Sequence, residues 1–448
     1  MCMKNYFSFF VSLFAGLLPS HATAQAMAPG SVVASSDLTE TFANLAPEFL
    51  RQVAALVEDG KYDQARSLLM LPRMQPKPHL EVLFLSGLIY VRQGDYHAAA
   101  DEFRLMLARD ATLLRPRLEL AHALFLSKDY EGASYHFQQV MAGNLPGEVR
   151  TKVQGFLYAI REQLPSYSIS LDVVNDSNPK QSTNSKTVTI GGRSYQLNTT
   201  APDQTVWGVA VNSSVHIPLP GNPTWFMRGS ANLIDYPNRD NDQLNLQAMI
   251  GKHVRFEENT LTLEAGSQYF EYRGRNLYSG AVWRASDFWR QSDRSNWQTM
   301  LQGGQQIYPD YHYLDGWQYT LSLENQLVQS ASSRWQTGAS YSQNQARELA
   351  YAFSSPGIYF RYVREWPGGV ISGVRWQKSL SDYCGDDPFF GMTRHDSEQR
   401  VEVDLLNRNW QVGGLSPHLL LGGIDHVSNI ALYEFRRNYV KIGVSREF

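Results

Sequence analysis

The sequence predicts a two-part chain, a short array of paired α-helices followed by a fourteen-stranded antiparallel β-barrel that crosses a membrane. Three observations predict it. Three stretches in the first third recur at a spacing of 34 residues. Beyond Pro165 the chain becomes a succession of amphipathic strands. Its first residues read as an export signal, and no apolar helix follows them.

The opening stretch is "MCMKNYFSFFVSLFAGLLPSHATAQA". Lys4 supplies a basic start, Tyr6 to Leu18 form 13 uncharged residues, and Ala22-Thr23-Ala24 and Ala24-Gln25-Ala26 are both cleavage-site patterns. The run is too short to span a bilayer, so residues 1–26 read as a cleaved secretory signal and residues 27–44 as a linker. No Cys follows the run where a lipoprotein signal would need one. Cys2 leaves with the signal, which strands Cys384 and excludes an intrachain disulfide. Nothing later is apolar for about 18 residues, so the exported chain is either soluble in the periplasm or a barrel. Net charge is −3, from 40 basic and 43 acidic residues, which gives no general attraction to nucleic acid. Aromatics make up 12% of the chain, including 24 Tyr and 10 Trp, as expected where rings sit at a lipid–water boundary.

The repeats are "GKYDQA" from Gly60, "GDYHAA" from Gly94 and "KDYEGA" from Lys128. In register, Tyr62, Tyr96 and Tyr130 align, as do Ala65, Ala99 and Ala133, and Leu69, Phe103 and Phe137. Earlier in each unit Val53, Gly87 and Ala121 align, as do Leu56, Tyr90 and Leu124. Small residues at two crossing points in a 34-residue period are the signature of the tetratricopeptide repeat (TPR). They let the two helices of a unit approach, while the larger side chain four residues on fills the groove to the next unit. Three units are about the minimum for a continuous core. Residues 45–164 are therefore expected to form a periplasmic TPR-like helical domain. Pro72, Pro76 and Pro78 are expected in the first inter-repeat connection, after the helix has ended. Tyr90 and Tyr96 read as packing residues. Acidic and basic residues balance across this region, so the array reads as a platform for a protein or peptide.

From residue 166 to 448 the pattern is that of a barrel. "YSISLDVV" alternates Tyr167, Ile169, Leu171 and Val173 with polar residues; "TLTLEAGSQY" and "WQYTLSLENQL" alternate in the same way. Many of these segments have about ten residues, the length that crosses a bilayer on a tilt. Strands are placed near residues 167, 206, 224, 244, 260, 279, 297, 316, 333, 356, 369, 398, 416 and 437. With the helices in the periplasm, odd-numbered connections should be long and face outside, and even-numbered ones should be tight periplasmic turns such as "PLPGNP", "SASS" and "WPGG". Trp225, Trp289, Trp297, Trp335, Trp366 and Trp410 fall at strand ends on the periplasmic side and form an expected aromatic belt. "TVTIGGRSYQL" reads as a hairpin turning at Gly191-Gly192 and projecting beyond the membrane; if it spanned, the count would be sixteen. The last strand should close against the first, with Phe448 as a terminal signal for barrel assembly.

No catalytic, cofactor-binding or metal residues are assigned. Phosphate-loop, His-Glu-x-x-His, paired-Cys and Gly-x-Ser-x-Gly patterns are all missing from the sequence. Asp240 with Asp242, and Asp386 with Asp387, read as solvated loop carboxylates rather than a cation site. His312, between Tyr311 and Tyr313, reads as a lone loop residue. Cys384 reads as an incidental outer-loop thiol.

Signal, short array and fourteen-strand barrel together resemble the surface lipoprotein assembly modulator (Slam) family over essentially the whole mature chain. Local echoes are "VNDSNP" after the first strand, "YPNRDNDQ" at the third connection and the closing "KIGVSREF". The resemblance implies an outer-membrane protein translocator. Its clients would be surface lipoproteins or secreted haem- and iron-binding proteins. Periplasmic chaperones, the barrel-assembly machinery and outer-membrane lipid would be its other partners. A TPR-linked exopolysaccharide export barrel and a specific porin are the two alternative readings, since both use the same barrel physics.

Overall fold

The structure, a computed structural model, describes residues 47–448 except 144, 163, 191, 198–204, 238–239, 257–258, 408–409, 411–414 and 447–448. The expected signal, most of the linker and Phe448 lie outside the described residues. Among the described residues seven helices precede the strands: α1 (Pro47–Glu58), α2 (Tyr62–Arg73), α3 (Leu80–Gln93), α4 (Tyr96–Arg109), α5 (Leu114–Leu126), α6 (Tyr130–Met141) and α7 (Gly147–Glu162). They form three antiparallel hairpins, with α7 packed against α6.

The 34-residue period is visible in the backbone. Gly60, Gly94 and Lys128, one per unit, all adopt positive φ (73°, 81° and 66°) at the same repeat position. This left-handed residue ends one helix and redirects the chain into the next. In the second and third units the following Asp caps the new helix: Asp95 accepts from Ala98 N and Asp129 from Gly132 N. Small residues sit where helices cross. A Cβ on Gly87 would lie 2.6 Å from the Phe103 ring. The core continues into α7, where Phe156 stacks on Phe137 with ring centroids 5.1 Å apart.

Pro72 departs from expectation. It lies inside α2, which runs on to Arg73, and Met74 N still donates to Met70 O. The proline falls in the last turn, where its missing N–H costs one bond and no further helix has to follow. Only Pro76 and Pro78 lie in the connection.

The barrel strands are β1 (Ser166–Asp176), β4 (Val206–Leu219), β5 (Asn222–Asp235), β6 (Gln243–Phe256), β7 (Asn259–Tyr272), β8 (Arg275–Arg290), β9 (Ser295–Gln306), β10 (Gly316–Ser330), β11 (Ser333–Ala346), β12 (Phe353–Glu365), β13 (Val370–Asp386), β14 (Thr393–Asn407), β15 (Leu415–Ser428) and β16 (Phe435–Arg446). Each pairs antiparallel with its neighbour, and β1 pairs β16 with Leu171 opposite Val444 and Asn175 opposite Val440, so the fourteen strands close. The hairpin β2 (Thr187–Ile190) and β3 (Arg193–Gln196) forms a separate two-stranded sheet in the first outer connection. The strands run to 11–17 residues, longer than a bilayer needs, so their ends continue past it.

One outer connection is not long. Between β7 and β8 the chain turns on Arg273 (φ 57°) and Gly274 (φ 71°), two left-handed residues in succession. That pair makes the tight turn whose twist matches an antiparallel ribbon, so no loop is required. Outward-facing positions carry exposed apolar side chains, among them Ile169, Leu171, Val173, Met227, Ile250 and Ile442. Alternate positions point into the lumen. No helix among the described residues is long and apolar enough to cross a membrane; the strands do so instead.

Candidate functional site

Two groups of side chains join parts of the chain that are far apart in sequence. The first lies where the helices meet the inner end of the barrel, the end at which β1 begins. Arg117, on α5, has a fully buried side chain and reaches Glu365, the last residue of β12, at 2.7 Å; that carboxylate is only 4% exposed. The same Arg117 Nη1 donates to His136 Nδ1 at 3.2 Å, and Nη2 donates to Ala111 O at 2.6 Å. Guanidinium can only donate, so His136 Nδ1 is held as the acceptor. One cation thus ties α5, α6 and the barrel rim together.

Further contacts follow the rim in strand order. Gly368 N, in the β12–β13 turn, donates to Ala108 O of α4 at 2.6 Å. On α6, Gln138 accepts from Gln326 of β10 at 2.9 Å, and Tyr135 lies under Arg334 of β11 at 4.8 Å. On α7, Arg150 pairs with Asp293 in the β8–β9 turn at 2.7 Å. Arg161 stands 4.0 Å over the Phe288 ring of β8 and 3.5 Å from Thr260 of β7, and Arg255 of β6 stands 4.0 Å over Tyr158.

The facing of these rim residues decides what the contact does. Leu327, Trp335 and Phe256 are exposed and point outward. Alternation therefore turns their neighbours Gln326, Arg334 and Arg255 into the lumen, and Thr260, Phe288 and Glu365 share that face. The helices α5 to α7 are seated across the inner mouth of the barrel rather than against its outer wall. Lys128, Asp129 and Tyr130, before and at the start of α6, lie beside Ser166 and Tyr167 of β1, so α6 extends from the β1 side toward β10.

The second group is at the other end of the β1–β16 seam. Asp176, fully buried, receives Arg437 Nη2 at 2.5 Å and Nε at 2.9 Å, and Tyr236 donates its hydroxyl to the same carboxylate at 3.2 Å. The first outer connection adds to the clasp. Asn178 Nδ2 donates to Arg436 O, Thr183 Oγ1 to Ala431 O, and Asn184 N to Glu434 O. "VNDSNP" and "YPNRDNDQ", quoted above as separate motifs, therefore converge on the last strand.

The residues singled out in the sequence are placed as follows. Val53, Ala65, Leu69, Gly87, Ala99, Phe103, Ala121, Leu124, Ala133 and Phe137 are buried; Leu56, Tyr62, Tyr90, Tyr96 and Tyr130 are half-buried. Trp225, Trp289, Trp297, Trp335, Trp366 and Trp410 all lie at the inner end of the barrel. Trp289 stacks on Trp297 with ring centroids 6.2 Å apart, and Trp297, Trp335 and Trp366 donate their indole N–H to Gln291, Gln329 and Ser372. Asp387 accepts from Phe389 N, Phe390 N and the Tyr433 hydroxyl, so it caps a turn. Asp242 caps Tyr236 N, Asp240 pairs with Lys180, and His312 pairs with Asp315. Cys384 is in no disulfide and lies near the outer end of β13. Among the described residues no group of three His, Cys, Asp or Glu side chains is arranged to hold a metal ion. Arg117, Glu365, Asp176 and Arg437 were not singled out, because in sequence they look like ordinary surface charges.

A loop-deletion mutant of OmpT, an outer membrane protein of Vibrio cholerae, aligns over 64% of this chain and 99% of its own with a TM-score of 0.34 at 5% identity. Surface lipoprotein assembly modifier 1 of Haemophilus influenzae is 23% identical over 85% of this chain and 81% of its own length. The surface lipoprotein assembly modifier of Pasteurella multocida is 23% identical over 94% and 87%. The profile of the family described as surface lipoprotein assembly modifier matches residues 166–448, which is the whole barrel. The chain is an outer-membrane β-barrel with its helical domain on the periplasmic side, and it belongs to the surface lipoprotein assembly modifier family.

Proposed function

We propose that this protein moves surface lipoproteins across the outer membrane: the helical array receives the client in the periplasm and the barrel passes it outward. The observation that carries the reading is the seating of α5 to α7 on lumen-facing rim residues, centred on the buried Arg117–Glu365 pair. A porin has no need of a helical array across its mouth. A protein-handling device does, because it has to admit one kind of chain and hold back the rest.

In this reading residues 45–164 are a TPR-like receiving platform that follows a cleaved signal (1–26) and a linker (27–44), and 166–448 is the translocating barrel. The six inner-rim tryptophans anchor the barrel at the lipid boundary, and Phe448 is read by the barrel-assembly machinery. Secreted haem- and iron-binding proteins are a second client class, and periplasmic chaperones hand clients over. Client folding outside supplies direction, since anything that depletes the chain on one side pulls the equilibrium.

The test is surface display. The exported protein encoded beside this chain is co-expressed with it, and intact cells are treated with protease or antibody. Client exposed or released only when this chain is present supports the proposal. Client that stays periplasmic in both cases sinks it for that pairing. Removing residues 45–160 is expected to impair export while the barrel still inserts.

A further inference from the structure

The lumen has two unlike walls. On β12 to β16 the inward side chains include many charges, several in ion pairs: Arg361 pairs with Asp404 at 3.0 Å, Arg400 with Glu398 at 3.2 Å, and His426 with both Asp396 and Glu398 at 3.3 Å. On β9 to β11 the inward side chains are mostly amides and hydroxyls. Gln302, Gln306, Gln318, Thr320, Ser322 and Ser340 make a continuous patch from mid-barrel to the outer end. Gln306 Nε2 donates to Gln318 Oε1 at 2.9 Å and Thr320 bonds to Ser342 at 3.0 Å, while Gln302 Oε1 accepts from Arg284 of β8 at 3.0 and 3.1 Å. Except for Gln306 they stay half-exposed to the lumen.

Below this patch β10 turns one carboxylate inward, Glu324, which is hydrogen-bonded with Tyr359 of β12, and then Gln326, which donates to Gln138 of α6. Glu324 alone separates the patch from the interface between array and barrel along β10. β10 lies opposite the closing seam, seven strands from β1 in either direction.

We infer that the amide- and hydroxyl-rich wall of β9 to β11 is the track along which an extended client polypeptide crosses the lumen. This rests on the translocation reading above and adds the path. Peptide groups in an unfolded chain need hydrogen-bond partners once they leave bulk water. Amides and hydroxyls supply donors and acceptors together, and neither holds a passing charge in a deep electrostatic well. The facing wall holds several of its charges in ion pairs, which lowers its pull on a client's own ionised side chains. Gln138 sits where the track begins, so motion of α6 off Gln326 uncovers it.

The test uses a photo-reactive amino acid in the full chain. It is placed at Ser322 and Ser340, which face the lumen, at Leu321 and Leu323, which face outward on the same strand, and at Val173 and Ile442, which face outward at the seam. The probe is a lipoprotein that the unmodified chain displays, fused to a tightly folding domain that stalls it in transit. Cross-links at Ser322 and Ser340, absent at the four outward positions, are expected. Display with cross-links at Val173 and Ile442 instead would mean passage through an opened seam and overturns the inference. Display with no cross-link at any position overturns it too. Failure of the unmodified chain to display the client sinks the translocation reading, and the track with it.

Discussion

Replacing Glu365 with Ala isolates the contact on which the closed mouth depends. Arg117 would keep Ala111 O and His136 but lose the carboxylate it is paired with, and its side chain has no exposure to water. Removing one partner of a buried ion pair typically costs about 3–5 kcal/mol, because the remaining charge is left uncompensated. Here the two partners belong to different domains. The chain can relieve the cost by swinging α5 away from the rim and rehydrating Arg117, so the penalty falls on docking rather than on either fold. At about 1.4 kcal/mol per tenfold, the docked-to-undocked ratio should fall by on the order of a hundred- to several thousand-fold. Spin labels at Asp101 and Ser330, with Cys384 replaced by Ser, read the distance between array and rim in reconstituted protein. A broad or long distance in Glu365→Ala, against a single short one in the parent, is the expected result. The double variant Arg117→Met with Glu365→Leu should recover much of the docking, since an apolar pair of similar volume carries no stranded charge. Asp59→Ala, which removes an exposed partner of Lys61, is the control and should leave the distance unchanged. If Glu365→Ala behaves like that control, the buried pair does not hold the array in place and the account of the mouth is wrong.

Other expectations follow from the same contacts. Gly87→Val drives a side chain into the Phe103 ring and should destabilise the array by about 1–3 kcal/mol, seen as a lower helical melting temperature with the barrel still resistant to SDS at room temperature. Burial holds the Glu119 carboxyl above its usual range even with Arg115 beside it. A raised carboxyl stabilises the fold fully only below its unfolded value of about 4.3, and that contribution is lost as pH rises through the folded value. Glu119→Gln should therefore raise the array's melting temperature at neutral pH and remove that part of the decline; an unchanged profile would contradict the assignment. At the outer clasp, Asp176→Ala strands Arg437 and should lower the temperature at which the barrel unfolds in gel-shift assays. Tyr236→Phe removes one hydrogen bond and should cost only about 0.5–1.5 kcal/mol.

Much of this architecture could be read from the chain because its signals are local. The 34-residue register follows from side chains on one helix meeting those on the next, and the same register places Gly60, Gly94 and Lys128 in left-handed turns. Strand positions followed from alternation, which one buried and one lipid-facing side impose at every second residue. Two local expectations failed where a weak signal was read as a strong one. Pro72 was accommodated in a last helical turn, and Arg273-Gly274 made a tight turn where a loop was expected. What sequence did not disclose was pairing at long range. Arg117 and Glu365 lie 248 residues apart, and Asp176 and Arg437 lie 261 apart. Neither pair has a period or a motif joining its members, and a charge destined for burial looks the same in sequence as one left in water. "VNDSNP" could be noticed but not explained until its carboxylate was seen against the last strand.

The clasp between Asp176 and Arg437 also constrains how the molecule is made. Its partners are separated by 261 residues, so bringing the ends together from a flexible chain costs about 5 kcal/mol of loop-closure entropy. The cost shrinks only as the intervening strands pair in sequence and shorten the gap. Closure is accordingly the final event of assembly. Until Arg437 arrives, β1 and the newest strand are open edges, with backbone groups that hydrocarbon cannot solvate. A chain stopped one strand short would be an unfinished sheet with two such edges. The ion pair that fastens the seam is thereby a chemical mark that the whole barrel has been delivered.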